Sequence, residues 1–146
     1  LIPSSVLCPL TGTAHLPRAF VKFAAGGKNM LADGYDQCGK AYDQMLLDGL
    51  GIGDKREEAI AAAQGRLYPA FVEELRKLGA NFDSANVTKL SRAITGYNHA
   101  DDTRAGILKT NGLTDDVGIK DAPTLNFLDD LAELVNALNP SPAKTE

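Results

Sequence analysis

Apolar side chains along this chain recur at intervals of three and four, and strict alternation is scarce, so helices are expected and strands are not. A first short helix is predicted over 17–25, opened by Pro17 and stopped by Gly26 and Gly27. A second is predicted over 31–50, where Leu31, Tyr35, Cys38, Tyr42, Met45 and Leu46 share one face. The stretch "GLGIG" at 49–53 predicts a loop. A third helix is expected to start near Asp54, a capping residue with Glu57 three places on. It carries the alanine run "AIAAA" and must bend or end before Pro69. "PAFVEELRKLG" predicts a fourth, from Pro69 to Gly79.

Ser84 is expected to cap the next helix, which runs to Thr95 and stops at Gly96. "NHADDTRAGILKTNG" predicts a shorter one, and "TDDVGIKD" a loop or single turn. "DAPTLNFLDDLAELVNALNP" is the clearest helix, with Pro123 at its start and Pro140 just past its end. Its residues Leu125, Leu128, Leu131, Ala132, Leu134, Val135 and Leu138 make a wide apolar face. The tail "SPAKTE" is expected to be loose. The fold class is therefore all-α, with about seven short helices. They are shorter than the helices of a simple four-helix bundle and are expected to wrap around another helix or a ligand.

Composition narrows the function more than it names one. The 146 residues suit one domain, 1–146, with a core of its own. With 15 basic and 19 acidic residues, net charge −4, no basic face points to nucleic acid. The apolar stretches are too short to span a bilayer. The first residue is Leu1, so a leader or transit segment is expected to have been removed, as in an exported or organellar protein. Cys8 and Cys38 allow either one bridge or two buried thiols, and their spacing fits neither a redox pair nor a zinc site.

Catalytic chemistry finds little support. The two histidines, His15 and His99, are far apart, so no Ser-His-Asp or Cys-His set can be argued from them. "GLGIGDK" does not match a phosphate loop and follows no strand. The acidic pairs at 101–102, 115–116 and 129–130 read as helix-start charges and solvated faces. The aromatic side chains Phe20, Phe23, Tyr35, Tyr42, Tyr68, Phe71, Phe82 and Phe127 read as core. His99 is expected to be exposed. The chain is expected not to be an enzyme.

An ordered series of short features then stands out. "AYDQM" ends an amphipathic helix, Gly49 and Asp54 follow, then "AIAAAQ", then "FDSANVTKLSRAI" with an aromatic-Asp pair and Leu-x-Arg-x-Ile. "AFVK" at 19–22 adds a piece near the start. In this order the features resemble the peridinin–chlorophyll proteins, water-soluble light-harvesting antennae of photosynthetic algae. The match spans about Ala41 to Ile94, and more loosely Ala19 to Lys22.

The resemblance implies an open shell of short helices around a ligand cavity, equivalent to one half of the family's long form. It implies peridinin and chlorophyll a as cofactors, with a galactolipid also held. A homodimer in the thylakoid lumen of the chloroplast, passing excitation to membrane light-harvesting complexes, is implied too. In the family a histidine after the alanine run holds the chlorophyll magnesium through a water, and this chain has none there. Counting without gaps from Met45 puts that position at Gln64, while aligning on the alanine run puts it at Arg66, which cannot accept. Gln64 is therefore the expected holder of the water. A family asparagine against the chlorophyll falls on Val87, or on Asn86 with a one-residue slip. Phe20, Met45, Ala61, Tyr68, Phe82, Leu90 and Ile94 are implied as the pigment cavity. An alanine face would let the helix backbone lie close against a flat ring. The alternatives are a helix-on-helix role for the alanines, in a helical carrier of lipid or another apolar ligand, or in a structural subunit.

Overall fold

The computed structural model describes residues 1–139. Seven α-helices account for its regular structure, with one 3-10 turn and no strand among the described residues. The chain, expected as one domain, divides into two compact units, Leu1–Thr95 and Gly96–Glu146.

The first unit holds α1 (Leu16–Gly26), α2 (Tyr42–Gly49), α3 (Arg56–Ala62), α4 (Tyr68–Lys77) and α5 (Ser84–Thr95). Pro17 and Pro69 lie in the first turns of α1 and α4, where a missing N–H costs nothing. The expected helix over 31–50 is less than half that length: only Tyr42–Gly49 is helical. The segment before it is turned by Gly34, whose φ of 89° lies in the left-handed region that a continuing helix cannot use. Capping also differs from expectation. Asp54 lies two residues ahead of α3, whose N-cap is Lys55 with no side-chain bond. Ser84 is the first residue of α5, and the carbonyl of Asp83 accepts from Val87 N–H at 2.9 Å.

α3 packs on α1 and α4, and α2 packs on α5. Ala59, Ala62 and Ala63 are buried and Ala61 is exposed, so the small side chains serve close helix packing. Close approach recurs at Gly49, where an added Cβ would lie 2.4 Å from Leu90 Cδ1. The core is Leu16, Phe23, Leu46, Leu47, Leu50, Ile52, Phe71, Leu75 and Ile94, all with no exposed surface.

The second unit holds α6 (Asp101–Thr110), a 3-10 turn (Asp115–Val117) and α7 (Ala122–Leu138), with α6 packed on α7. Asp121 caps α7 by accepting from Thr124 N–H at 2.9 Å. Leu125 is fully buried, but Leu131, Leu134, Val135 and Leu138 are exposed, so the wide apolar face is covered on one side only. Phe127, expected in the core, is 39% exposed, and Asp130, expected on a solvated face, is buried. The expected loose tail and Pro140 lie outside the described residues. None of the described helices is long and apolar enough to cross a membrane.

Candidate functional site

Two places in the first unit gather chemistry. One is a buried polar chain that no local pattern predicts. Ser4 Oγ lies 2.9 Å from His15 Nδ1, and His15 Nε2 lies 2.6 Å from Asp43 Oδ1. Lys22 Nζ and Gly39 N–H both donate to Asp43 Oδ2, the latter at 2.7 Å. Ser4 and His15 have 0% and 1% of their surface exposed, Asp43 1% and Lys22 9%. A neutral imidazole satisfies every partner: Ser4 O–H donates to Nδ1, and Nε2–H donates to the carboxylate.

Serine, histidine and aspartate thus do meet, but with Ser on Nδ1 and Asp on Nε2, the reverse of a hydrolase triad. A hydroxyl sealed from solvent reaches no substrate, so the chain works as a clasp. It ties the first fifteen residues to α1 and to the start of α2. His15 sits at φ 69°, a left-handed conformation costing roughly 1–3 kcal/mol for a non-glycine residue. Ser4 holds it there from two sides, since Ser4 O also accepts from His15 N–H at 2.8 Å.

Burial pushes the His15 pKa below its ordinary value, against the hydrogen bond that it donates to Asp43, which raises it; Lys22 and Arg18 lower it further. Burial alone would raise the Asp43 carboxyl, but His15 and Lys22 outweigh it and bring the value down to about 2. Below the ordinary histidine value of 6.5 the unfolded chain takes up a proton that the folded chain declines. That contribution to stability is fully present above pH 6.5 and is lost as pH falls toward the folded value. The Asp43 contribution is present above 3.8 and is lost as pH falls toward 2. Unfolding by urea is therefore expected to need less denaturant at pH 5 than at pH 7. The His15→Gln variant, which cannot titrate, should show a smaller drop over that interval. An equal drop in both would sink the assignment.

The second place is a groove of about 590 Å³ between α2 and α5. Met45, Leu90, Ala41, Ala93 and Gly49 supply its apolar lining; Lys40, Gln44, Asp48, Asn86 and Lys89 supply polar groups. Asn86 donates both amide protons to backbone, to Gly49 O at 2.9 Å and Asn81 O at 2.8 Å. Its Oδ1 is thereby left as an oriented acceptor.

The residues nominated from sequence fall on several surfaces. Met45, Asn86 and Leu90 meet in the α2–α5 groove. Val87 and Phe82 line a different depression of about 530 Å³ beside Leu7 and Leu10. There Arg76 lies over the Phe82 ring at 5.1 Å. Phe20 and Tyr68 belong to an aromatic cluster with Phe71, ring centres 5.0 to 6.1 Å apart. The Tyr68 hydroxyl is buried without a hydrogen-bond partner, and burial next to the Cys8 thiol raises its pKa. Ile94 is in the core, where its carbonyl accepts from Tyr42 O–H at 2.9 Å, and Ala61 faces out.

The Gln64 amide nitrogen serves the fold. Its Nε2 donates to Phe23 O at 2.7 Å and Ile60 O at 3.1 Å, closing the end of α1, and its side chain lies against Gly27. It is not among the residues that line the α2–α5 groove. Arg66 is exposed and reaches Ala61 O at 3.4 Å. Cys8 and Cys38 are both free thiols. His99, expected to be exposed, is half-buried, with Nε2 2.8 Å from Asn126 Oδ1.

A chlorophyll magnesium needs an axial oxygen or nitrogen, and Asn86 Oδ1 is an acceptor of that kind beside an apolar lining. A volume of 590 Å³ suits one ligand, since single-ligand sites run to roughly 300–1,000 Å³. A cluster of several carotenoids would need surface beyond this groove. No protein-family model, no curated protein and no solved structure matches this chain.

Proposed function

We propose that this chain is a non-catalytic binding protein for a large apolar ligand, and that the ligand is pigment, as the resemblance to the peridinin–chlorophyll antennae implies. The observation that carries the reading is the α2–α5 groove, where Met45, Leu90 and Asn86 meet. On this reading Met45 and Leu90 exclude water from one face of a chlorophyll a ring. Asn86 would hold the chlorophyll magnesium through Oδ1, since Gln64 lies outside this groove. Chlorophyll supplies the light absorption; the chain supplies a fixed orientation. Peridinin, a galactolipid, a homodimer, the thylakoid lumen of the chloroplast and transfer to membrane light-harvesting complexes belong to the same proposal, and rest on the resemblance.

The test is a visible spectrum of the protein purified from its native source. Carotenoid and chlorophyll bands co-eluting with the chain are the expected result; a colourless protein overturns the proposal. Asn86→Leu is expected to lose the red chlorophyll band. Gln64→Leu is expected to keep it and to lose about 1–3 kcal/mol of stability, from the two hydrogen bonds that hold α1. A second reading, a carrier of lipid, is favoured by the two cationic side chains at the groove, Lys40 and Lys89. Retained lipid without colour would select it.

A further inference from the structure

A cavity of about 720 Å³ opens in the second unit, larger than the α2–α5 groove and lined only by residues between Asn98 and Lys120. Ala105 and Leu108 of α6, with Leu113 just after it, form its apolar part, and Leu108 is only 2% exposed. The walls are braced from behind. Arg104 donates from Nε to Ile119 O at 2.5 Å, and its Nη1 pairs with Asp115 Oδ1. Leu113 N–H donates to Leu108 O at 2.8 Å, which folds the loop after α6 back onto the helix. His99 is fixed from α7, where Asn126 Oδ1 accepts from its Nε2–H at 2.8 Å. In the neutral ring Nδ1 is then left as an acceptor. Preformed hollows of roughly 300–1,000 Å³, apolar with a few placed polar groups, are where small molecules bind.

Charge decides what fits. Of the charged side chains that line the cavity, Arg104 and Asp115 are spent on each other. Lys120 and Asp101 remain, one of each sign and both exposed. A ligand with an anionic group alone would be repelled by Asp101, and one with a cationic group alone by Lys120. A molecule that carries both charges on an apolar body offers each of them a partner. We propose that this cavity binds a short aliphatic peptide with both ends free. Its ammonium pairs with Asp101, with His99 Nδ1 as a further acceptor, and its carboxylate pairs with Lys120. Its side chains lie on Ala105, Leu108 and Leu113. A single amino acid is small for this volume. The site lies outside the stretch that resembles the antenna proteins, and the proposal does not depend on the ligand of the α2–α5 groove.

The experiment is a titration of the isotope-labelled full chain with leucyl-leucine at pH 7, followed through its amide NMR shifts. The expected result is saturable shifts centred on residues 98–120, with a Kd of about 0.1–1 mM. N-acetyl-leucyl-leucine keeps only the carboxylate, and leucyl-leucine amide keeps only the ammonium. Each is expected to bind about five- to tenfold more weakly. Lys120→Gln is expected to weaken leucyl-leucine by a similar factor and to leave the affinity for the amide unchanged. Asp101→Asn is expected to weaken leucyl-leucine and to leave the affinity for the acetylated form unchanged. A merely structural role for either side chain would weaken all three ligands alike. The absence of saturable shifts at millimolar leucyl-leucine overturns the proposal. So do equal affinities for the three ligands, shifts centred outside residues 98–120, or variants that do not discriminate between the two capped forms.

Discussion

Replacing Asp43 by alanine is expected to cost the first unit about 3–5 kcal/mol, the largest effect of any single polar substitution in it. Three donors converge on this carboxylate: His15 Nε2, Lys22 Nζ and Gly39 N–H. Each loses its partner at once, and Lys22 keeps a charge with only 9% of its surface exposed. The strained backbone at His15 then loses part of what holds it. For a unit of this size each kcal/mol moves the melting temperature by roughly 4–8 °C. The expected fall is therefore well over 10 °C, read by circular dichroism. Asp43→Asn keeps the shape but turns an amide donor toward another donor, and should fall between the two. A loss under about 1 kcal/mol for the alanine variant would mean the clasp behaves like a surface ion pair.

Phe71→Ala is expected to cost about 3–5 kcal/mol by a different mechanism. Phe71 is fully buried on α4 and sits at the meeting of Phe20, Phe23 and Tyr68, with Phe20 and Phe23 from α1. Removing its ring deletes apolar burial and leaves a cavity whose walls belong to rigid helices, so collapse is partial. Phe71→Leu refills much of that space and should cost less than half as much, measured by urea unfolding. Equal losses for the two variants would show that the ring contacts, and not the volume, carry the stability.

These two residues differ in how visible they were before the structure. Phe71 follows Pro69 in a helix with Val72 and Leu75 at helical spacing, so its burial is written in local pattern. Asp43 carries no such mark. In sequence it is one polar residue inside the helix predicted over 31–50. Its partners lie 28 residues back, at His15, and 21 residues back, at Lys22. Reading the histidines by their separation from each other left out what each meets in space. Ser4, His15, Lys22 and Asp43 were all missed for that reason.

The nominated pigment residues show the same divide. Asn86 and Val87 were alternatives one residue apart, and on a helix adjacent residues point about 100° apart. Packing sends Asn86 to the α2–α5 groove and Val87 to the depression beside Phe82. Gln64 could be singled out as an acceptor after an alanine run. Only the fold shows that its amide is taken by the end of α1.

By itself the sequence determined the helical class and most helix ends, because proline, glycine and three-to-four spacing act within a few residues of where they stand. α1, α4, α5 and α7 start and stop within about two residues of their predicted bounds. The tertiary structure alone decided that the segment before Tyr42 is not helical and that the alanines face α1 and α4. It also decided that a buried clasp joins Ser4, His15, Lys22 and Asp43, and that one stripe of α7 stays uncovered. Those outcomes depend on which surfaces meet, and a pattern of period 3.6 says which face of a helix is apolar without saying what it packs against.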